Sequence, residues 1–435
     1  MDNASLPTPQ QMKRLPHKAI NLLWSALHTI GIGQITIDEN ALIAKARKQT
    51  GLQDFGDDDF IEPMRRMIEA LQHDSQTNPL GDFFTHQNLL RLLKNRLLAE
   101  DYFKRFPEIL QRDMAPPMAV VGLARSGTTR THRLLACDDQ FLHLKSWESV
   151  YPAPFADSFR AKRDPRHVEI DYGLRAVNYM MPHMKSVHPM GVDEVEEEVG
   201  LIQHGFVTSL FAAMNIVPSY FAWYLEQSAD ASYAYMVKLL KLISWFRQDD
   251  PDKPWILKTP EHMVNFAPLM KCFPDARIVS THRDPISVLS SLSSMGWSAL
   301  VRDYDSIDAV ALGQQWKAFQ DKSIENYLAT RDSGLIQDHQ IVDLLYEDIN
   351  QDWRTEIEKV YRHFNLNLSE QTLTAMEAWM ASNQQNKHGK HRHHLEQFGF
   401  EAEQVEADYH RYRQRFQIPY SKRSAEYTQR TQGTP

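Results

Sequence analysis

An apolar run, Met118 to Val121, ends at Gly122 and is followed by Leu123-Ala124-Arg125-Ser126-Gly127 and a helix-compatible segment, Thr128 to Ala136. A buried strand, a Gly-bounded turn and a helix in that order constrain the fold more than any other stretch. The turn's backbone N–H groups converge and the helix N-terminus adds partial positive charge, which makes a cradle for phosphate. Gly122 and Gly127 stand at the spacing of GxxxxGK[ST]. Thr128 occupies the lysine position, and the one cation inside the loop is Arg125. A cradle that keeps its glycines but moves its cation points to a donor other than ATP.

The 435 residues carry a formal net charge of −8, so no global field draws nucleic acid or an anionic surface, and an anion site must be built locally. Cys137 and Cys272 give neither a disulfide framework nor zinc spacing, and they fit a reducing compartment. Met1 to Pro16 is polar, without the apolar stretch of a leader, and the expected location is cytoplasmic. The most apolar window, Leu201 to Leu225, is broken by Gln203, His204, Ser209, Asn215 and Pro218, so no membrane span is expected.

Three parts follow from periodicity. Residues 1–114 read as a helical region, with apolar positions at helical spacing in Ile20–Ile30, Phe60–Leu71 and Leu89–Leu98. Asp38 and Asp58 are its candidate N-caps, and Gly31, Gly33 and Gly51 its stops. From 115 to 421, short apolar runs alternate with helical patterns and then give way to charged helices. The runs are Met118–Val121, Phe141–Leu144, Trp255–Leu257, Arg277–Ser280 and Gln340–Leu345. The expectation is an α/β P-loop fold of three layers: a central parallel sheet flanked by helices, an N-terminal helical region and a helical C-terminal part. Residues 422–435 read as a disordered tail.

A second strand–helix junction, Arg277 to Pro285, places Asp284 as N-cap and Pro285 as first helical residue. Ser287 and Ser291 then share one helix face. Arg283 leaves the strand end, where its planar fork of donors suits a phosphate jointly with Ser291.

This pair of motifs resembles the sulfotransferases that use 3′-phosphoadenosine 5′-phosphosulfate (PAPS), in the bacterial-type branch with an N-terminal helical region. "GLQDFGDDDF" (51–60), "WESVYPAP" (147–154), "ILKTPEH" (256–262), "THRDP" (281–285) and "HHLEQFGF" (393–400) are similar to landmarks of that branch. The resemblance implies that Arg125, Ser126, Gly127, Thr128 and Thr129 bind the 5′-phosphosulfate and that Arg283 and Ser291, eight positions apart, bind the 3′-phosphate. It implies an adenine contact for Tyr346 and a basic loop over the 3′-phosphate around Lys390. The reaction implied is an in-line transfer of SO₃ from PAPS to a hydroxyl or amine, without a metal.

Lys258 follows an apolar run, so it emerges at the C-terminal end of a strand, where ligands of open α/β sheets bind. The resemblance gives Lys258 the sulfonate or bridging oxygen. Two residues compete as general base. Glu148 lies about as far beyond the loop arginine as a catalytic Glu in some relatives. His188 precedes the acidic run Asp193–Glu198, itself read as a solvated helix start, and an imidazole suits the task. The cations and histidines of 387–394 also read as an exposed basic surface or, with four histidines, a metal site. Arg130 and Thr131 depart from the branch, which has apolar residues there. Tyr179-Met180-Met181 and Phe206–Tyr224 are candidate walls of an apolar pocket for a small-molecule acceptor, or plain core. A P-loop small-molecule kinase and a non-catalytic nucleotide-binding protein are the competing readings.

Overall fold

The computed structural model describes residues 6–155, 162–187, 190–383, 394–421 and 424. The long helices before the first strand are α1 (Leu15–Thr29), α2 (Glu39–Thr50), α3 (Ile61–His73) and α4 (Pro79–Arg105), with single-turn helices at Pro9–Met12 and Glu108–Gln111. The N-cap carboxylate of Asp38 accepts from Ala41 N–H at 2.8 Å, and Gly51 ends α2 in the left-handed region. Asp58 does not cap; it opens a short 3₁₀ turn, Asp58–Phe60, ahead of α3.

The remaining elements alternate. They include β1 (Met118–Gly122), α5 (Thr128–Leu135), β2 (Leu144–Lys145), α6 (Pro165–Met180), β3 (Val195–Glu196), α7 (Asp230–Arg247), β4 (Ile256–Lys258), β5 (Arg277–His282), α8 (Pro285–Leu300), α9 (Ala309–Asp332), β6 (Ile341–Leu345) and α10 (Ala402–Phe416), with further helices between them, among them Trp353–His363 and Glu370–Ser382. The sheet runs β4-β1-β5-β6, all parallel. Every residue of β1 is buried, which is why it reads as a continuous apolar run. Its side chains alternate between the layers: Met118 and Val120 pack with Ile256, Val279 and Val342, while Ala119 and Val121 join the large core shared with the N-terminal helices.

Phe141–Leu144 departs from expectation. Leu142 makes a single parallel bridge to Trp255, and Leu144 pairs antiparallel with β3 instead of entering the sheet. The chain turns into a short helix at Ser146, so the run ends before it can extend along β4. The segment 51–60 has a structural task. The carbonyls of Phe55 (2.7 Å) and Asp57 (2.9 Å) accept from the buried Arg96 guanidinium, which also lies against the Phe60 and Tyr235 rings. Leu201–Leu225 is divided among short helices, and no described helix is long and apolar enough to cross a membrane.

Candidate active site

The loop after β1 turns on two residues with positive φ, Arg125 (+71°) and Gly127 (+94°). At Gly127 a Cβ would lie 2.9 Å from the Tyr346 ring, so both backbone conformation and neighbour demand glycine. Ser126 is fully buried; its hydroxyl donates to the Leu123 carbonyl at 2.7 Å and meets Thr281 Oγ1 at 2.8 Å. Helix α5 begins at Thr128, and its first bond back runs from Thr131 N–H to the Gly127 carbonyl. The first-turn N–H groups of Thr128, Thr129 and Arg130 therefore have no intrahelical acceptor. The polar Thr131 is tolerated because its hydroxyl donates back to that same carbonyl at 3.3 Å, while Arg130 reaches outward to Asn350.

The second junction folds onto this loop. Asp284 caps α8 and accepts from the Ser287 hydroxyl at 2.9 Å. Arg283, 158 residues beyond Arg125, donates from Nη1 to the Arg125 carbonyl at 2.7 Å. Arg125 Nε donates to Ser291 Oγ at 3.1 Å. The structure thus brings Arg125, Ser291 and Arg283 together, and Ser287 turns instead toward Asp284 and Ser421. The Arg283 guanidinium lies 4.0 Å from the Tyr346 ring centre. Neither arginine makes an ion pair among the described residues, and Arg283 Nε is buried without an acceptor there. Burial, and then the neighbouring Arg283 charge, lower the pKa of Arg125. Two arginines that converge on one loop, with no ion pair among the described residues, have the donors and charge to hold a multiply charged anion.

Lys258 stands at the C-terminal end of β4, 2% exposed. Its Nζ donates to Thr129 Oγ1 at 3.2 Å and pairs with Glu197. The acidic run is solvated only at its start, Asp193 and Glu194, and turns inward from Glu196. Glu198 is fully buried between His262 and the Lys258 N–H (3.0 Å), Glu194 pairs with Arg133 at 3.2 Å, and Asp193 with His167 at 3.1 Å. The reason is that β3 lies within the run, so its carboxylates fan out to both sides of an extended segment. Glu197 is the carboxylate beside Lys258 that sequence reasoning missed. The one signal for it was Val195, the apolar residue interrupting the charges. His132, buried one turn beyond Thr129, has no partner for its Nε2 among the described residues, and burial followed by the Lys258 charge hold it well below the usual imidazole range.

Glu148 lies elsewhere. It is buried, its Oε1 accepts from Arg247 Nε at 2.7 Å, and its Oε2 takes both Arg247 Nη2 and the Lys145 N–H (3.0 Å). It lines a cavity of about 500 Å³ with His143, Trp147 and Arg166, to which no residue of the Arg125 loop contributes. His188 and Lys390 fall outside the described residues, as does most of 387–394 and of the expected tail. Among the described residues no cluster of three His, Cys, Asp or Glu side chains stands ready for a metal ion.

Of the candidate acceptor walls, Phe206, Phe211, Tyr220, Phe221 and Tyr224 are core, stacked on one another. Tyr224 and Ser209 also donate to the buried carboxylate of Glu261, whose pKa burial raises against those hydrogen bonds. Met181, by contrast, joins Met184, Val187 and Met295 in a separate apolar cluster, and the Val187 carbonyl accepts from Arg125 Nη1 at 3.3 Å.

Comparison with known proteins agrees with this arrangement. The family model described as the sulfotransferase family matches residues 116–370. An omega-hydroxy-beta-dihydromenaquinone-9 sulfotransferase, Stf3, from Mycobacterium bovis is 26% identical over 295 residues, covering 65% of this chain and 71% of its own. The crystal structure of sulfotransferase STF1 from Mycobacterium tuberculosis superposes with a TM-score of 0.73 at 28% identity, over 86% of this chain and 99% of that one. The fold is shared too with STF9 from Mycobacterium avium (TM-score 0.78, 22% identity, 89% and 98% covered). With more than half of its length matched by the family model, and with the same architecture as solved members, the chain belongs to the sulfotransferase family and is an enzyme of sulfonate transfer.

Proposed function

We propose that the sulfonate donor is PAPS and that the acceptor is a hydroxyl carried on an apolar molecule. The observation that carries the donor assignment is the meeting of Arg125 and Arg283 at the loop, without a carboxylate between them. The 5′-phosphosulfate is assigned to Arg125, Ser126, Gly127, Thr128 and Thr129. The 3′-phosphate is assigned to Arg283 and Ser291, and the base to Tyr346, whose ring already supports the Arg283 guanidinium. PAPS supplies a sulfonate activated by its bond to a phosphate leaving group. Arg125 and Lys258 supply fixed positive charge where negative charge grows on that leaving oxygen. Glu197, rather than Glu148, is the proposed base. It shares the Lys258 ammonium, its other oxygen has no partner among the described residues, and Glu148 is fully engaged by Arg247. Glu197 takes the acceptor's hydroxyl proton as the new O–S bond forms. The acceptor class rests on the Met181 cluster beside Arg125 and on the mycobacterial relative, whose name gives a hydroxylated menaquinone as its substrate.

Calorimetry with 3′,5′-adenosine bisphosphate (PAP) tests the donor site. Arg283→Ala is expected to weaken PAP binding by about tenfold or more, since a hydrogen bond to a charged group is worth roughly 1.5–3 kcal/mol. An unchanged affinity, or tighter binding of ATP–Mg²⁺ than of PAP, overturns the assignment. A turnover screen with labelled PAPS against alcohols of increasing chain length tests the acceptor. A preference for short, polar alcohols would sink that part.

A further inference from the structure

Helix α1 is built inside out. His17, Asn21, Trp24 and His28 recur at i, i+4, i+7 and i+11, so they share one stripe, and that polar stripe faces the protein. His17 is 2% exposed and meets the Arg302 carbonyl at 3.1 Å; Asn21 Oδ1 accepts from Leu80 N–H at 3.1 Å; His28 meets the Gly33 carbonyl at 2.8 Å. The opposite stripe carries Leu15, Ala19, Leu22, Leu23, Ala26 and Ile30, all facing solvent. Leu15 is 79% exposed, Leu22 75%, Leu23 66% and Ile30 67%. Ile32, just past the helix end, is also exposed. A folded chain that keeps its polar residues inward and this many large aliphatic ones outward leaves a contiguous apolar face.

Charge and position identify what covers it. Residues 3–37 contain no Asp or Glu, although the whole chain has 56, and they contain Lys13, Arg14 and Lys18. Lys13 is buried against Asp305 and serves the fold. Arg14 and Lys18 flank the apolar stripe, and Arg14 lies 4.8 Å from the ring of Tyr179, itself exposed at the end of α6. An apolar helical face edged by cations and tyrosine, in an acid-free segment of an acidic protein, is complementary to an anionic lipid surface. It is also continuous with the active site. Tyr179 leads to Met180 and Met181, these pack with Met184, Val187 and Met295, and the Val187 carbonyl holds Arg125.

We propose that α1 docks this enzyme onto the surface of an anionic bilayer and sets the Met181 cluster over it, so that an apolar acceptor passes from lipid to Arg125 without crossing water. The proposal rests on the apolar-acceptor reading above.

The experiment is co-flotation of the full-length protein with phosphatidylcholine vesicles, with and without phosphatidylglycerol. Wild type is expected to float with the anionic vesicles, L22Q/L23Q to float at least tenfold less, and R14E/K18E to lose the preference for phosphatidylglycerol. PAP affinity, and turnover of a short-chain alcohol in solution, are expected to stay unchanged in L22Q/L23Q, which shows that the variant folds. No flotation of wild type, or equal flotation of L22Q/L23Q, overturns the proposal. So does a wild-type dimer that L22Q/L23Q dissociates while vesicles bind neither. The two readings fail separately. Flotation without turnover of any lipid alcohol removes the acceptor reading and leaves the docking; turnover of detergent-dispersed lipid alcohol without flotation does the reverse.

Discussion

Glu197→Gln is expected to lower kcat by about 10²–10⁴-fold, the usual range for removing a general base, with PAP affinity nearly unchanged. Gln keeps the shape and an oxygen for the Lys258 ammonium but takes no proton. The control is Glu148→Gln. Glu148 and Arg247 form a pair that is 4% and 22% exposed in their side chains. Leaving one partner of a buried pair alone costs about 3–5 kcal/mol, and partial exposure of Arg247 puts this case at about 3, the low end of that range. Glu197→Gln also leaves a buried cation short of its partner, since the Lys258 and Glu197 side chains are 2% and 15% exposed, so both midpoints are expected to fall. Turnover of the folded protein separates the variants: Glu148→Gln retains it and Glu197→Gln loses it. A folded Glu148→Gln enzyme without activity returns the base role to Glu148. If both variants turn over normally, His188 becomes the candidate.

Arg125→Ala is expected to reduce kcat by about 10²–10³-fold, the cost of one well-aimed donor to developing negative charge. The substitution is clean in backbone terms. Arg125 sits at φ +71°, and Ala bears the same left-handed strain as any residue with a Cβ. Its side chain gives up bonds to Ser291 and Val187, both at the rim of the site. PAP lacks the sulfonate, so its affinity is expected to fall less than turnover does. Arg125→Lys is not expected to rescue, because an ammonium cannot span Ser291 and an anion with one fixed fork. Single-turnover measurement with labelled PAPS reads the effect; full activity in Arg125→Ala would remove this residue from the chemistry.

The parts of the fold written in local chemistry were legible in the chain. The run Met118–Val121, the glycines at 122 and 127, and the Asp284–Pro285 helix start each follow from backbone preference and burial, and each stands where its residues put it. The meeting of Arg125 with Arg283 is what the family resemblance implies, and the pairing of β1 with β5, which aligns the two strand ends, brings it about. Long-range partners hid the rest. Glu148 looks like a site residue until Arg247, 99 positions away, is seen to hold it. Glu197 looks like surface until β2 and β3 pair and aim it at Lys258. Phe206–Tyr224 resembles a pocket wall because aromatic spacing is the same for a cavity and for a core. The N-terminal pattern Ile20–Ile30 reads as a helix from its apolar spacing; periodicity fixes that a stripe exists, and only tertiary contact fixes which way it faces.

Arg283 has an acidic neighbour that never reaches it. Asp284 is fully buried, and although burial pushes its pKa up, bonds from Ser421 and from Arg413 of α10 (2.7 Å) outweigh that and keep it lowered, hence ionised. Glu406 grips the other side of the same Arg413 guanidinium. Helix α10 therefore acts as a chaperone of charge. By occupying the carboxylate next to Arg283, a guanidinium 129 positions downstream helps set the charge offered at the proposed 3′-phosphate site.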